Sequence, residues 1–348
     1  MGITQAAVSM ALRGDRAISA EMRQKVCDTA AAMGYQLNEH VSALMSNIRT
    51  RKKLNDKGVI GLLIEACTQE DWYAVKTFQR FHQGVLHRGT ELGFQIESFF
   101  LLEPSMRAAR IDQILYARGI DGIVLAPPGL GKNLPDLHWE RYAAVVASIG
   151  WEGHALNRVY CDQFQNYITA FDTLLQLGYT RIGTAFDHSF VLGSQRRTKW
   201  HTGYLGCQHN TPEKDRIPVF TYNSLPLQKG LPKTGVKALH TEFSKWFSNW
   251  QPEVIITLLG GEKKFLDAMK LKVPQDVGLV CLAQQSDSDY TRIDEKMDVL
   301  GATALELVAA QIAHNEFGFP TDPKTTLIEG RWVPGSTVQN KNEMTTHA

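Results

Sequence analysis

Residues 59–64 have the sequence Val59-Ile60-Gly61-Leu62-Leu63-Ile64, an almost unbroken apolar run that is typical of a parallel strand buried on both faces. A helical pattern over residues 78–92 follows this run and ends at Gly93. A second strand is then predicted over residues 94–100. Strands that alternate with helices in this way form right-handed crossover units on a parallel sheet. The stretch therefore predicts an α/β fold.

The same alternation continues through most of the chain and falls into two series. The further predicted strands cover 122–126, 143–149, 181–186, 217–222, 254–259 and 277–282, and the further predicted helices cover 106–117, 167–177 and 236–250. Two series predict two lobes, each with a doubly wound parallel sheet, and a ligand cleft at the carboxyl ends of the strands. We place this body at 58–340, with lobes at about 58–160 plus 290–325 and about 161–289 plus 326–340, and a tail at 341–348.

The residues ahead of the body predict two short helices joined by a tight turn. Thr4 is expected to cap the first helix, which breaks at Arg13-Gly14-Asp15. Ser19 is expected to cap the second helix, which ends at Gly34. This is the layout of a DNA-reading head.

The balance of charged residues also changes between the N-terminal segment and the body. Residues 1–57 hold nine Lys/Arg against five Asp/Glu, whereas the rest of the chain holds 28 against 31. A basic head on a slightly acidic body fits phosphate contacts that are confined to the head. Taken alone, the basic run at 49–53 is more simply a solvated charge run; next to a helix pair, it favours DNA binding.

Composition excludes several classes of protein. Apolar residues make up 43% of the chain and charged residues 21%, which is ordinary for a globular protein. No stretch approaches 18 continuous apolar residues and no apolar segment follows a basic start, so we expect a cytoplasmic protein without membrane contact. The five cysteines are scattered and form no C-x-x-C pair, which indicates reduced thiols rather than disulfides or metal ligands. We expect no cofactor and no metal.

The sequence also argues against an enzyme. Glu65-Ala66-Cys67 follows the first strand, where a nicotinamide-dependent enzyme would carry a Gly-x-Gly-x-x-Gly turn. The Gly-Leu-Gly-Lys string at 129–132 lacks the spacing and the Ser/Thr of a phosphate loop. No nucleophile, histidine and acid constellation emerges. A solute-binding protein of the same two-lobed fold stays open as the alternative, although the helix pair and the absence of a signal peptide argue against it.

Several motifs of the chain resemble those of one protein family. The motifs are Ala7-Val8-Ser9-Met10-Ala11-Leu12-Arg13-Gly14, the segment 19–26, the run Gly34-Tyr35-Gln36-Leu37-Asn38, and the body segments 162–182, 273–280 and 330–337. Together they are similar to the LacI/GalR family of bacterial transcription regulators. The resemblance implies a two-lobed, periplasmic-binding-protein-like body that is preceded by a helix-turn-helix head at 1–37 and by a hinge helix and linker at 38–57. Family members carry one more helix before Gly2-Ile3-Thr4, so the head is expected to be incomplete and Met1 to be a truncated start.

The resemblance also implies which residues contact DNA. Its base-facing positions fall on Gln5, Ala6 and Met10, and its phosphate contacts on Thr4 and Ser9. The hinge begins at Asn38, and Leu44 falls where the family wedges a leucine into the minor groove. The simpler alternative for Leu44 is that it packs on the body together with Ile48.

At the family's ligand positions this chain departs from the pattern. Where the family has an acidic pair, this chain has Ala283-Gln284. Where the family often has Asn-Asp, this chain has Gly260-Gly261, and Trp200 falls at the position of a common arginine. These changes remove the carboxylate that accepts hydrogen bonds from sugar hydroxyls in the family. The groups that remain predict an aromatic and basic effector site formed by Trp72, Tyr73, Asp187, Arg196, Arg197, Trp200 and Gln284. Packing between the lobes is an alternative role for Trp72, and a solvated pair for Arg196-Arg197.

These patterns predict a ligand-responsive, sequence-specific DNA-binding transcriptional regulator, and specifically a repressor. The expected effector is a small carbohydrate-like or anionic metabolite, such as a sugar or a sugar acid, bound between the lobes. A near-palindromic double-stranded operator and a homodimer are expected, since one head reads only a few base pairs. The polar segment 339–348 has no leucine heptads that would join dimers into tetramers.

Overall fold

The structure is a computed structural model of the chain. It describes residues 8, 11, 19–32, 58–104, 106, 108–127, 132–148, 150–152, 156–187, 199–223, 233–283 and 289–344. The chain forms two compact units, Met1–Asp56 and Lys57–Ala348. No helix within the described ranges combines the length and the hydropathy that a membrane crossing requires.

The described part of the first unit centres on one helix, α1 (Ala20–Ala32). The Ser19 hydroxyl accepts the backbone N–H of Met22 at 3.3 Å, so the predicted cap at Ser19 is confirmed. Ala11 and Val26 are both buried.

The second unit contains the remaining helices and strands. Its strands are β1 (Val59–Ile64), β2 (Gln95–Phe100), β3 (Gly122–Leu125), β4 (Lys132–Asn133), β5 (Ala143–Val146), β6 (Trp151–Glu152), β7 (Asn157–Cys161), β8 (Ile182–Asp187), β9 (Phe220–Tyr222), β10 (Val254–Thr257), β11 (Gly278–Cys281), β12 (Thr291–Asp294), β13 (Thr325–Ile328) and β14 (Arg331–Val333). Its helices are α2 (Gln69–Tyr73), α3 (Lys76–Leu92), α4 (Ala108–Ala117), α5 (Gln163–Gln176), α6 (Lys199–Asn210), α7 (Lys233–Trp250), α8 (Lys263–Ala268), α9 (Met297–His314) and α10 (Lys341–Met344).

Two six-stranded sheets organise this unit. The first has the strand order β13-β7-β5-β3-β1-β2 and is parallel throughout. The second has the order β14-β12-β11-β10-β8-β9 and is parallel except for β14, which runs antiparallel to β12. The predicted α/β fold with two doubly wound sheets is confirmed.

Each sheet has an apolar core on both faces. Along β1, Ile60, Leu62 and Ile64 belong to one core and Leu63 to the core on the opposite face. This two-sided burial is the reason for the unbroken apolar run of the sequence. The strand predicted over 217–222 begins only at Phe220, because the Ile217 N–H bonds to the Gln208 side chain and the Pro218 carbonyl accepts the Trp246 indole.

The chain passes between the two sheets three times. Asp162 connects β7 to α5, Glu295-Lys296 connects β12 to α9, and Glu329-Gly330 connects β13 to β14. Helix α5 packs against the strands of the second sheet, whereas α9 packs on α3 and on strands of the first. We call the first sheet with its helices the first lobe, and the second sheet with its helices the second lobe.

Candidate effector site

Two buried tryptophans close the carboxyl end of β3 in the first lobe. The Trp72 indole donates a hydrogen bond to the carbonyl of Pro127 at 3.0 Å, and the Trp151 indole donates one to the carbonyl of Ala126 at 2.9 Å. Trp72 belongs to the core on one face of the sheet and Trp151 to the core on the other. Both indole N–H groups are therefore satisfied by the backbone just past the strand, at the end where ligands bind in folds of this type.

Trp72 is the centre of an aromatic group. The short helix α2, absent from the predicted elements, is capped by Thr68 and holds the indole against Tyr73, Phe78 and His82 at ring-centroid distances of 6.0, 5.7 and 5.6 Å. Only 2% of Trp72 is exposed. In this structure Trp72 packs inside the first lobe, and its contact with an effector stays a prediction.

Tyr73 carries the polar part of this group. Its phenol is hydrogen-bonded to Nδ1 of His82, and burial raises the pKa of Tyr73. His82 is 7% exposed, and burial lowers its pKa, so the imidazole is neutral at neutral pH. Within the described residues, Nε2 of His82 has no hydrogen-bond partner. His82 is not among the predicted site residues, because a lone histidine in an amphipathic helix gives no specific signal.

In the second lobe, three polar side chains meet at the ends of adjacent strands. Asp187 and Tyr222 are the last residues of β8 and β9 and lie opposite one another in the sheet. The Tyr222 hydroxyl donates to Oε1 of Glu262 at 3.0 Å. Glu262 lies just before α8, beyond the end of β10, and is 2% exposed. We call these three residues the carboxyl–phenol cluster.

Burial controls the protonation of the carboxyl–phenol cluster. It raises the pKa of Glu262 to about 7, and the Asp187 charge adds to the rise. It also raises the pKa of Tyr222, with the charges of Glu262 and Asp187 acting in the same direction. Near neutral pH the cluster therefore contains the Tyr222 phenol, the partly protonated carboxyl group of Glu262 and the Asp187 side chain. Such a set both donates and accepts hydrogen bonds.

Glu262 and Tyr222 are not among the predicted site residues. At the expected Asn-Asp position the chain has Gly260-Gly261, and Gly260 adopts a φ of +75° while its N–H donates to the Thr257 hydroxyl at 3.1 Å. This glycine turn brings the next side chain, Glu262, to the end of the strand. The second lobe therefore has a carboxyl group in this region, although the residues at the aligned positions lack one. An acidic residue directly after a Gly-Gly turn and before a helix was the available signal.

The start of α6 adds a basic and an aromatic group. The Lys199 ammonium is hydrogen-bonded to the Tyr160 hydroxyl and lies 4.8 Å from the centre of its ring. Tyr160 belongs to β7 of the first lobe, so this contact joins the two lobes. Trp200 packs on the second-lobe core, and its buried Nε1 has no hydrogen-bond partner in the described part of the chain.

The other predicted site residues lie outside the described residues. They are Arg196, Arg197 and Gln284 of the effector site and Thr4, Gln5, Ala6, Ser9, Met10, Asn38 and Leu44 of the DNA-contacting set.

Comparison with solved structures relates the two-lobed arrangement to known proteins. Neither a family model nor a curated protein matches the sequence. The transcriptional regulator CelR in complex with cellobiose is 16% identical, with 97% of this chain and 96% of that chain covered at a TM-score of 0.53. The Lac repressor dimer bound to operator and the anti-inducer ONPF is 15% identical, with the same coverages and a TM-score of 0.54.

A third structure is a LacI family transcriptional regulator from Enterococcus faecium with bound ribose. It is 15% identical, and the match covers 81% of this chain and 99% of that chain at a TM-score of 0.54. At these identities the likeness concerns the fold. Together with the two sheets and the three crossings between them, it shows that this chain has the fold of the LacI-family transcriptional regulators.

Proposed function

We propose that this protein is a ligand-responsive, sequence-specific DNA-binding transcriptional regulator that acts as a repressor. The observation that carries the proposal is the shared fold with regulators over 97% of the chain, a span that includes the N-terminal unit. The basic charge of residues 1–57 and the capped helix α1 support it independently. The proposal assigns the head to 1–37, the hinge to 38–57 and the effector-binding body to 58–340.

The proposed effector is a small hydroxyl-rich molecule of the carbohydrate type. The carboxyl–phenol cluster of the second lobe offers acceptors and donors of the kind that hydroxyl groups pair with, and Tyr73 and Trp200 offer ring faces. Of the two effector classes expected from the sequence, an anionic metabolite is the less favoured, because Asp187 and Glu262 would repel its charge. Cellobiose and ribose are bound in two of the similar structures.

The proposed partner is a near-palindromic operator that is read by a homodimer. Gln5, Ala6 and Met10 would face bases, Thr4 and Ser9 would contact phosphates, and Asn38 and Leu44 would act in the hinge. Gln5→Ala is expected to cost about 1–3 kcal/mol and to relax the preference at one base pair per half-site. Gln95→Ala, on an exposed position of the body, is the matched control and should leave binding unchanged.

A gel-shift assay of the full chain tests DNA binding. Labelled fragments from upstream of the gene are titrated at fixed salt, with heparin as the competitor. Preference for one fragment by tenfold or more supports a regulator; equal binding to every fragment and to heparin contradicts sequence-specific recognition. A chain that binds a sugar and no DNA would instead be a solute-binding protein.

A thermal-shift screen of sugars, sugar acids and phosphorylated sugars tests the effector site. A true effector raises the melting temperature of the parent by mass action. The same ligand should have a much smaller effect on Glu262→Gln, because the carboxyl that pairs with Tyr222 is altered. A shift of equal size in both proteins would place the ligand away from the carboxyl–phenol cluster.

A further inference from the structure

The three crossings between the lobes contact one another. The Asp162 N–H donates to the carbonyl of Ile328 at 2.9 Å, which joins the first crossing to the third. The Gly330 N–H donates to Oδ1 of Asn166 at 2.7 Å, which joins the third crossing to α5, the helix that follows the first crossing. Sγ of Cys161 lies 3.6 Å from the carbonyl oxygen of Glu295, which joins the first crossing to the second. We call this region the hinge cluster; it is separate from the hinge expected at 38–57. Any change in the angle between the lobes has to move the hinge cluster.

The hinge cluster contains a buried carboxyl group. Glu295 is 6% exposed, although it belongs to the two-residue connection between β12 and α9. The Cys161 thiol, which contacts the backbone carbonyl oxygen of Glu295, also lies 3.7 Å from the sulfur of Met297. Burial raises the pKa of Glu295 to about 8, and the neighbouring Asp294 charge adds to the rise. In this arrangement Glu295 is therefore protonated at neutral pH.

The cations near Glu295 pair with a different carboxylate. Asp294 accepts a hydrogen bond from Arg80 of α3 at 2.8 Å and one from Arg331 of β14 at 3.3 Å. Burial opposes ionisation of Asp294, but the bonds from Arg80 and from the Lys296 N–H, together with the charges of Arg80 and Arg331, outweigh it and lower the pKa of Asp294. Two adjacent acids thus differ: Asp294 is ionised and links the lobes, whereas Glu295 keeps its proton. Lys296, the next residue, adopts a left-handed φ of +51°.

A second feature of the hinge cluster would favour its opening. Asn166 is buried, and its Nδ2 has no hydrogen-bond partner among the described residues, although its Oδ1 accepts from Gly330. A buried donor without a partner costs free energy, which water would recover if the cluster opened. Opening would also hydrate Glu295 and return it towards its ordinary acidity.

We propose that Glu295 is a proton-linked latch between the lobes, which holds the hinge cluster closed while it is protonated and releases it when the proton is lost. If the closed cluster keeps the proton and the open cluster does not, the opening equilibrium rises with pH. The rise is about tenfold per pH unit below a pH of about 8, and it stops above that pH. A ligand that favours one arrangement of the lobes would then take up or release protons on binding.

Amide hydrogen exchange of the full chain, without DNA or ligand, measures this opening. Exchange is followed from pH 6 to 9.5 in the segments 161–166, 293–298 and 328–331, and it is corrected for the intrinsic pH dependence. Strands β1 and β10 serve as internal references. The expected result is a loss of protection in the three hinge segments of about tenfold per pH unit up to about pH 8, with a plateau above it and little change in the references.

Two variants make the result specific. Glu295→Gln cannot ionise, so its hinge segments should stay protected across the whole range. Glu329→Gln changes an exposed acid of the third crossing and should behave like the parent. The proposal is overturned if the parent shows no pH-dependent exchange in the hinge, if Glu295→Gln keeps it, or if hinge and reference strands lose protection together, since that would be global unfolding. Circular dichroism at each pH confirms that the compared proteins are folded.

Discussion

The carboxyl ends of the two sheets are built from different kinds of side chain. In the first lobe, buried aromatic rings cover the strand ends, and the indoles of Trp72 and Trp151 satisfy the backbone directly. In the second lobe, the strand ends carry the carboxyl–phenol cluster, in which the protonation of Glu262 depends on burial. The free energy of aromatic packing changes little with pH, whereas the free energy of a buried carboxyl group changes strongly with pH. The strand ends of the first lobe should therefore determine stability. The strand ends of the second lobe should determine the pH dependence and the contact with ligand.

The largest effect is expected from removing the central indole of the first lobe. Trp72→Ala deletes a ring that is 2% exposed and leaves a cavity, so it should lower the free energy of unfolding by about 3–5 kcal/mol. Urea denaturation of the full chain measures the change. Tyr116→Ala is the control, because Tyr116 is 68% exposed, and it should cost far less. A small loss of stability with a large loss of effector binding would make Trp72 a ligand platform instead of a core residue.

The second prediction concerns the pH dependence of the second lobe. Since folding raises the pKa of Glu262 from 4.5 to about 7, the parent should lose stability as the pH rises between these values. The loss has an upper limit of about 3.5 kcal/mol, from about 1.4 kcal/mol per pKa unit. Glu262→Gln should remove this part of the slope, and Glu242→Gln, on an exposed position of α7, should keep it. Superimposable slopes for the parent and Glu262→Gln would show that the carboxyl is ionised in the native protein.

A smaller effect is expected from the phenol of the same cluster. Tyr222→Phe removes the hydrogen bond to Glu262 and should cost about 1–2 kcal/mol at pH 7. Because that hydrogen bond lowers the pKa of Glu262, its loss should move the Glu262 titration to higher pH. NMR titration of the glutamate carboxyl signals reads the shift. An unchanged titration would mean that the hydroxyl does not bond to this carboxyl in solution.

The smallest effect is expected on the outer surface of the second lobe. A Cβ at Gly206 of α6 would meet no atom within 4 Å, so Gly206→Ala should stabilise the protein by about 0.5–1 kcal/mol through helix propensity. Gly203→Ala is the matched control on the same helix. Its Cβ would lie 2.8 Å from Cβ of Tyr167, and it should destabilise the protein. Thermal melts compare the two; equal shifts of both variants would contradict the packing of α6 on α5.

The local sequence was enough to predict the fold class. Apolar runs such as 59–64 predict strands without any knowledge of the partner strands, because a parallel strand covered on both faces has to be apolar at every position. The cap at Ser19 was predictable for the same reason, since its hydrogen bond spans only three residues. The aromatic residues Trp72 and Tyr73 were correctly placed after the first strand. Periodicity could not show that Trp72 turns into the core.

Tertiary structure decided what the local pattern could not. The carboxyl–phenol cluster joins Asp187, Tyr222 and Glu262 from three strand ends, and only the strand order β10-β8-β9 makes them neighbours. The hinge cluster likewise forms because three distant crossings meet, and the acidity of Glu295 follows from its burial there. Secondary structure depends on neighbours a few residues away, which the sequence displays directly. Burial, protonation and the partners of a polar group depend on segments that lie tens of residues to more than a hundred residues apart, and these are set only when the chain has folded.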